Sequence, residues 1–197
     1  MNKLSITILH HPSREHLIPY LKEKLGNDIF VCTDTENNLV KNSRKAWMLH
    51  DESAGFHLVL DDDVRVCENF RERAEYVLSE YPNQVYSFFW GEMELKDRDL
   101  LKPSPVAQYR YRALKFIRWG CAICLRTALI HEMLAFTATV PGFAEDKEFD
   151  TRVSKYIEHK KIRCYYPIPC LVDHREDEPS LAGNQGMHRR SKYFAGE

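Results

Sequence analysis

Apolar residues along this chain fall in short runs separated by longer amphipathic stretches, the pattern of strands covered by helices. Residues 4–9 predict a first strand, and residues 13–25 a helix with Ser13 as N-cap and Gly26 just past its end. Pro19 either kinks that helix or starts its regular part. A second strand is expected over 29–33, then a helix over 39–51 that buries Val40, Trp47 and Met48. Residues 56–60 read as a strand running straight into Asp61-Asp62-Asp63. Phe70, Ala74, Val77 and Leu78 recur at helical spacing within 68–80, and aromatic and β-branched residues mark 84–90 as a strand.

Residues 91–107 are poor in apolar side chains and include Pro103 and Pro105, so they predict a long loop, a common form for lids and binding segments. Beyond it come a strand over 119–125, a helix over 126–136, a break at Pro141-Gly142, a helix over 145–158 and a strand over 162–166. The tail from Pro167 reads as irregular. Strands alternating with helices imply an α/β fold, a mostly parallel sheet flanked by helices, and residues 1–197 read as one domain without repeats or a linker.

Composition narrows the function classes. A formal net charge of -1 gives no global field toward nucleic acid or membrane. The apolar run at 4–9 is too short to span a bilayer and has no small-residue cleavage site after it, so a cytoplasmic enzyme is expected, in the host cytoplasm if the chain is viral. Of the six cysteines, Cys121 and Cys124 form a Cys-x-x-Cys inside an apolar run, where buried thiols are the expected reading; Cys164 and Cys170 lack the tight spacing of a zinc site.

The sharpest chemical signal is Leu58-Val59-Leu60-Asp61-Asp62-Asp63. A buried strand ending in Asp-x-Asp delivers carboxylates to the sheet edge where α/β proteins bind ligands, and three adjacent carboxylates call for solvent or a cation between them. On an extended backbone Asp61 and Asp63 share one side. Carboxylate oxygens suit Mg²⁺ or Mn²⁺, though an acidic surface turn looks the same. A second acidic run, Glu145-Asp146-Lys147-Glu148, opens the helix that carries Arg152; taken alone it is a helix start complementing the dipole. A third segment is Pro169-Cys170-Leu171-Val172-Asp173-His174-Arg175.

In this combination and order the chain resembles the GT-A glycosyltransferases, whose Rossmann-like fold transfers sugars from nucleotide diphosphates. The resemblance implies that the turn after the first strand, with His10, Pro12 and Arg14, meets the nucleotide, and that Asp34 and Arg44 contribute to it. It implies that Asp61 faces the nucleoside or ribose and that Asp63 binds the metal with Asp61, with Asp62 as the middle position. It further implies that Asp146, beside Glu145, is the general base of an inverting transfer, and that His174 completes the metal site. The implied cofactor is Mn²⁺ or Mg²⁺, and the implied donor is a UDP-sugar. Arg189, Arg190 and Lys192 are candidates for further phosphate neutralisation.

Arg110, Arg112, Lys115 and Arg118 stand among Tyr109, Tyr111, Phe116 and Trp119 without an acidic residue. Such a mix suits unstacked bases on a phosphate backbone, sugar rings, or an ordinary amphipathic strand. It makes a hydroxymethyl-pyrimidine in DNA, as in phage DNA modification, one acceptor reading and a lipopolysaccharide or surface glycan the other. A nucleotidyltransferase would need a glycine-rich turn where this chain has His10-His11-Pro12-Ser13-Arg14. A non-catalytic nucleotide-sugar-binding module would have no use for both acidic motifs.

Overall fold

The computed structural model describes residues 3–91, 93–101, 108–140, 149–179, 181 and 190–196. The described strands form one seven-stranded sheet and one two-stranded sheet. Along the chain come β1 (Leu4–His10), α1 (Ile18–Leu25), β2 (Phe30–Thr33), α2 (Leu39–Met48) and β3 (Phe56–Asp61). They are followed by β4 (Val64–Val66), α3 (Phe70–Glu80), β5 (Val85–Ser87), β6 (Arg110–Leu114) and β7 (Ala122–Arg126). The last elements are α4 (Ile130–Ala138), α5 (Phe149–Lys160), β8 (Cys164–Ile168) and β9 (Val172–His174).

The large sheet has the order β2-β1-β3-β7-β5-β8-β6. β1 is parallel to β2 and β3, and β5 to β8, while β7 and β6 run against their neighbours. Five of the seven strands therefore share a direction, the mostly parallel α/β sheet expected from the alternation of elements.

Each face has its own core. Leu4, Ile6 and Ile8 alternate along β1 and meet Leu21 and Leu25 of α1 and Ala74, Val77 and Leu78 of α3. On the other face Val59 and Ile123 meet Trp47 of α2, Met133 of α4 and Tyr156 of α5. Full burial of such side chains contributes roughly 1.5–3 kcal/mol each, which fixes the strand register that carries the site.

Local chemistry sets the element ends. Pro12 opens a 3-10 turn over Pro12–Leu17, and Pro19 starts the regular helix after it rather than kinking it. The cap of that turn is His11, whose ring accepts from the Ser13 amide, where Ser13 itself was the expected cap. Gly26 closes α1 at φ +97°, a conformation costly for any other residue. Two expectations are corrected. Met48 is 49% exposed because it is the last residue of α2 and lies one position beyond the buried pair Ala46 and Trp47. The tail is not wholly irregular: β9 pairs antiparallel with β4, Val64 opposite His174.

Candidate functional site

The C-terminal ends of β1, β2 and β3 lie side by side, with Leu9 paired to Asp61 and His10 to Thr33. This edge gathers the turn after β1, Asp34 and the aspartate triplet. β3 ends at Asp61, and Asp62 and Asp63 form a turn before β4. Strict strand alternation therefore stops at Asp61, and each carboxylate goes its own way.

Asp62, the middle position, is 2% exposed and fully engaged. Its Oδ2 accepts from the His11 amide at 2.8 Å and lies 3.0 Å from His10 Nδ1, and its Oδ1 accepts from Arg14 at 2.9 Å. It ties the turn after β1 to the end of β3. Asp62 thus has an internal role, with a donor on each oxygen.

Asp63, 3% exposed, has Arg14 at 3.0 Å from Oδ2. Its Oδ1 lies 3.6 Å from His174 Nδ1, and that ring nitrogen is buried without a hydrogen-bond partner among the described residues. The β4–β9 pairing brings His174 here, and the Phe89 ring packs edge-on at 4.9 Å to hold the imidazole. Asp61 has its amide bonded to the Cys121 carbonyl at 2.9 Å. Its carboxyl is pushed well above the usual range, first by burial and then by the charges of Asp63 and Asp62.

A carboxylate oxygen and an imidazole nitrogen 3.6 Å apart are too far for a good hydrogen bond. The spacing suits two ligands on one ion at about 2.0–2.2 Å from each. Among the described residues no three His, Cys, Asp or Glu side chains form a ready cage, so Asp61 does not join this pair in a preassembled three-residue set. Mg²⁺-type sites of phosphate chemistry commonly take one or two protein side chains and complete their shell with phosphate oxygens and water. Asp63 and His174 fit that kind of site.

The other expected residues are distributed as follows. Pro12 is exposed on the turn after β1. The Asp34 carboxylate caps the turn before α2, accepting from the Glu36 and Asn38 amides at 3.1 Å each, and its own amide bonds the His10 carbonyl at 2.8 Å. Arg44 donates to the Leu134 carbonyl at 3.3 Å, tying α2 to α4 rather than reaching the aspartates. Arg190 is spent on Asp173 and Glu176, and Lys192 on Glu94. Glu145, Asp146 and Arg189 lie outside the described residues.

Asp150 was not foreseen. It sits in the first turn of α5 and adds to the electrostatic rise at Asp61. A methyl group at Gly120 would meet its Cβ at 3.0 Å and Oδ2 at 3.1 Å, so the absence of a side chain at Gly120 lets this carboxylate approach. The available signal was its position four residues after Asp146, the spacing of one helical face.

The segment expected to read DNA has another use. Arg110 pairs with Asp97 at 2.8 Å and Arg112 donates to the Asp99 carbonyl at 2.7 Å. Tyr109 and Tyr111 are buried, which is the outcome of an amphipathic edge strand. Lys115, Phe116 and Arg118 remain exposed. All six cysteines are buried thiols outside any disulfide. No helix among the described residues is long and apolar enough to cross a membrane.

No family model and no curated protein matches this chain. Among solved structures it is similar to A197 from STIV, at 15% identity over 90% of this chain and 87% of that one, with a TM-score of 0.48. It is also similar to a mutant of Drosophila beta-1,4-galactosyltransferase 7 in complex with manganese, UDP-Gal and xylobiose, at 15% identity over 100% of this chain and 83% of that one, TM-score 0.49. Both are distant likenesses, below the level at which shared architecture implies shared chemistry.

Proposed function

We propose that this chain is a metal-dependent GT-A-type glycosyltransferase that moves a sugar from a UDP-sugar to an acceptor hydroxyl with inversion. The observation that carries the reading is His174 Nδ1, without a hydrogen-bond partner among the described residues, facing Asp63 Oδ1 across 3.6 Å at the edge where β1, β2 and β3 end. Asp63 and His174 would hold Mn²⁺ or Mg²⁺. When bound, such an ion stabilises the charge that develops on a diphosphate leaving group.

The chain's own residues supply the rest. Asp62 fixes the turn holding His10 and His11 against the triplet, so that turn is preorganised to meet a donor. Asp34, on the neighbouring strand end, would meet the ribose or base. Asp146 takes the acceptor proton as its oxygen attacks the anomeric carbon, with Glu145 beside it. Asp150, in the first turn of α5 and close enough to raise the Asp61 carboxyl, orients the acceptor.

For the acceptor, DNA would need free cations and open aromatic faces on the 110–118 segment. The pairing of Arg110 and Arg112 and the burial of Tyr109 and Tyr111 reduce that surface to Lys115, Phe116 and Arg118, which favours a glycan hydroxyl instead.

The test is hydrolysis and transfer by the purified protein, offered several UDP-sugars with Mn²⁺, simple saccharides and duplex DNA with hydroxymethylated bases. Metal-dependent turnover that Asp146→Ala removes while nucleotide binding survives is the expected outcome. Full activity in that variant would show that Asp146 is not the base, and transfer to DNA alone would overturn the glycan preference.

A further inference from the structure

Arg14 sits where the 3-10 turn over Pro12–Leu17 breaks from helical geometry, at φ -113° and ψ 22°, and it is one of the two buried residues of that turn. Its side chain is only 8% exposed. NH1 donates to Asp62 Oδ1 at 2.9 Å, and NH2 lies 3.0 Å from Asp63 Oδ2 and donates to the Pro179 carbonyl at 2.6 Å. The guanidinium thus bridges two adjacent buried carboxylates whose mutual repulsion would otherwise splay them.

We infer that Arg14 is a positioning residue for the ion-binding carboxylate and not a phosphate ligand, an assignment that rests on the metal-dependent reading above. Two features argue for it. The charge is already spent: one cation shared by two carboxylates leaves the unit net negative, so a diphosphate gains little by approaching it. The geometry is directional: a planar fork anchored on Asp62 holds Asp63 by Oδ2 and leaves Oδ1 turned toward His174 Nδ1. Hydrogen bonds to a ligating carboxylate set its orientation, and their loss typically costs about 10–100-fold in metal affinity.

The Pro179 contact extends the same unit. The Arg175 amide donates to the Asp63 carbonyl at 3.0 Å, the Arg175 guanidinium lies 5.4 Å from the centre of the Tyr20 ring, and His16 pairs with Glu178 at 2.7 Å. The segment just after His174 is therefore held against the turn that carries Arg14, and the guanidinium touches Asp63 directly and that segment through the Pro179 carbonyl.

The experiment measures Mn²⁺ binding in the presence of UDP, by the loss of the free-ion paramagnetic signal, and UDP binding in EDTA by calorimetry. Wild type is compared with Arg14→Met and Arg14→Lys. The expected result is a roughly 10–100-fold weaker Mn²⁺ affinity in Arg14→Met with metal-free UDP binding unchanged, and partial recovery in Arg14→Lys, which keeps the charge but loses the fork. Should Arg14→Met fail to fold, Arg14→Lys decides, and wild-type Mn²⁺ affinity in it overturns the inference. A folded Arg14→Met with unchanged Mn²⁺ affinity also overturns it, as does metal-free UDP binding that falls as far as Mn²⁺ binding. Wild type that takes up no Mn²⁺ with UDP present sinks the metal-dependent reading itself.

Discussion

His174 Nδ1 faces Asp63 Oδ1 across 3.6 Å, although the two residues belong to a short strand and a turn more than a hundred positions apart. The pairing of β4 with β9 makes the encounter, and burial of an imidazole nitrogen without a partner gives it chemical meaning. An unsatisfied buried polar atom costs about 1–3 kcal/mol, so a native protein keeps one where a ligand supplies the missing partner.

If Asp63 and His174 hold the ion as proposed, His174→Ala should weaken Mn²⁺ binding by at least about tenfold, the lower end of what lost support at metal sites costs. Fold stability without metal should fall only by the packing against Phe89 that the ring takes with it, because the orphaned atom leaves too. Metal titration alongside urea unfolding checks both halves. Unchanged metal affinity would remove His174 from the site.

Asp62→Ala is expected to act on the fold first. It strips partners from the His11 amide, His10 and the buried Arg14, and breaking such a buried charged network typically costs about 3–5 kcal/mol. Urea unfolding at neutral pH measures it. A loss well under 1 kcal/mol would show that this carboxylate does not fasten the turn after β1.

Gly120→Ala tests the placement of Asp150. The new methyl would press on Asp150 Cβ at 3.0 Å and Oδ2 at 3.1 Å, displacing the carboxylate while leaving Asp63 and His174 untouched. Sugar transfer should fall with Mn²⁺ affinity preserved. Equal turnover in variant and wild type would deny Asp150 an acceptor-side role.

His57 gives the fold a pH dependence distant from the metal pair. Burial pulls its imidazole from the ordinary 6.5 down to about 4, with the Ala46 carbonyl and Ser5 hydroxyl opposing and His50 adding slightly to the drop. The unfolded chain takes up this proton below 6.5, whereas the folded chain resists it until about 4. Stability is then complete above 6.5 and declines by up to about 3 kcal/mol as pH falls toward 4. Urea midpoints across that range should drop for wild type and flatten for His57→Gln, which keeps an amide donor for the Ala46 carbonyl. A wild-type midpoint that does not move would contradict this.

Much of the fold was legible because β1 alternates Leu4, Ile6 and Ile8 with small polar residues, β3 is apolar but for His57 up to Asp61, and α3 repeats its apolar residues at helical spacing. The triplet was legible for the same reason, being polar punctuation at the end of a buried strand. β9 was not, since Val172-Asp173-His174 is too short to show a period and exists through pairing with a distant partner. The role of Asp62 was hidden too. Alternation says where a middle residue points only while the strand continues, and here it stops one residue earlier. Of the readings open for the Tyr-Arg alternation of 109–112, the amphipathic strand is the one the structure shows, tyrosines to the core and arginines to Asp97 and Asp99.

The most direct test of the account is calorimetric binding of UDP to wild type and Asp63→Ala, each with Mn²⁺ and with EDTA. Tight binding in wild type that requires Mn²⁺, and loss of the Mn²⁺ requirement together with the affinity in Asp63→Ala, is the predicted result. Wild-type binding that is the same with Mn²⁺ and with EDTA, or absent in both, would contradict it.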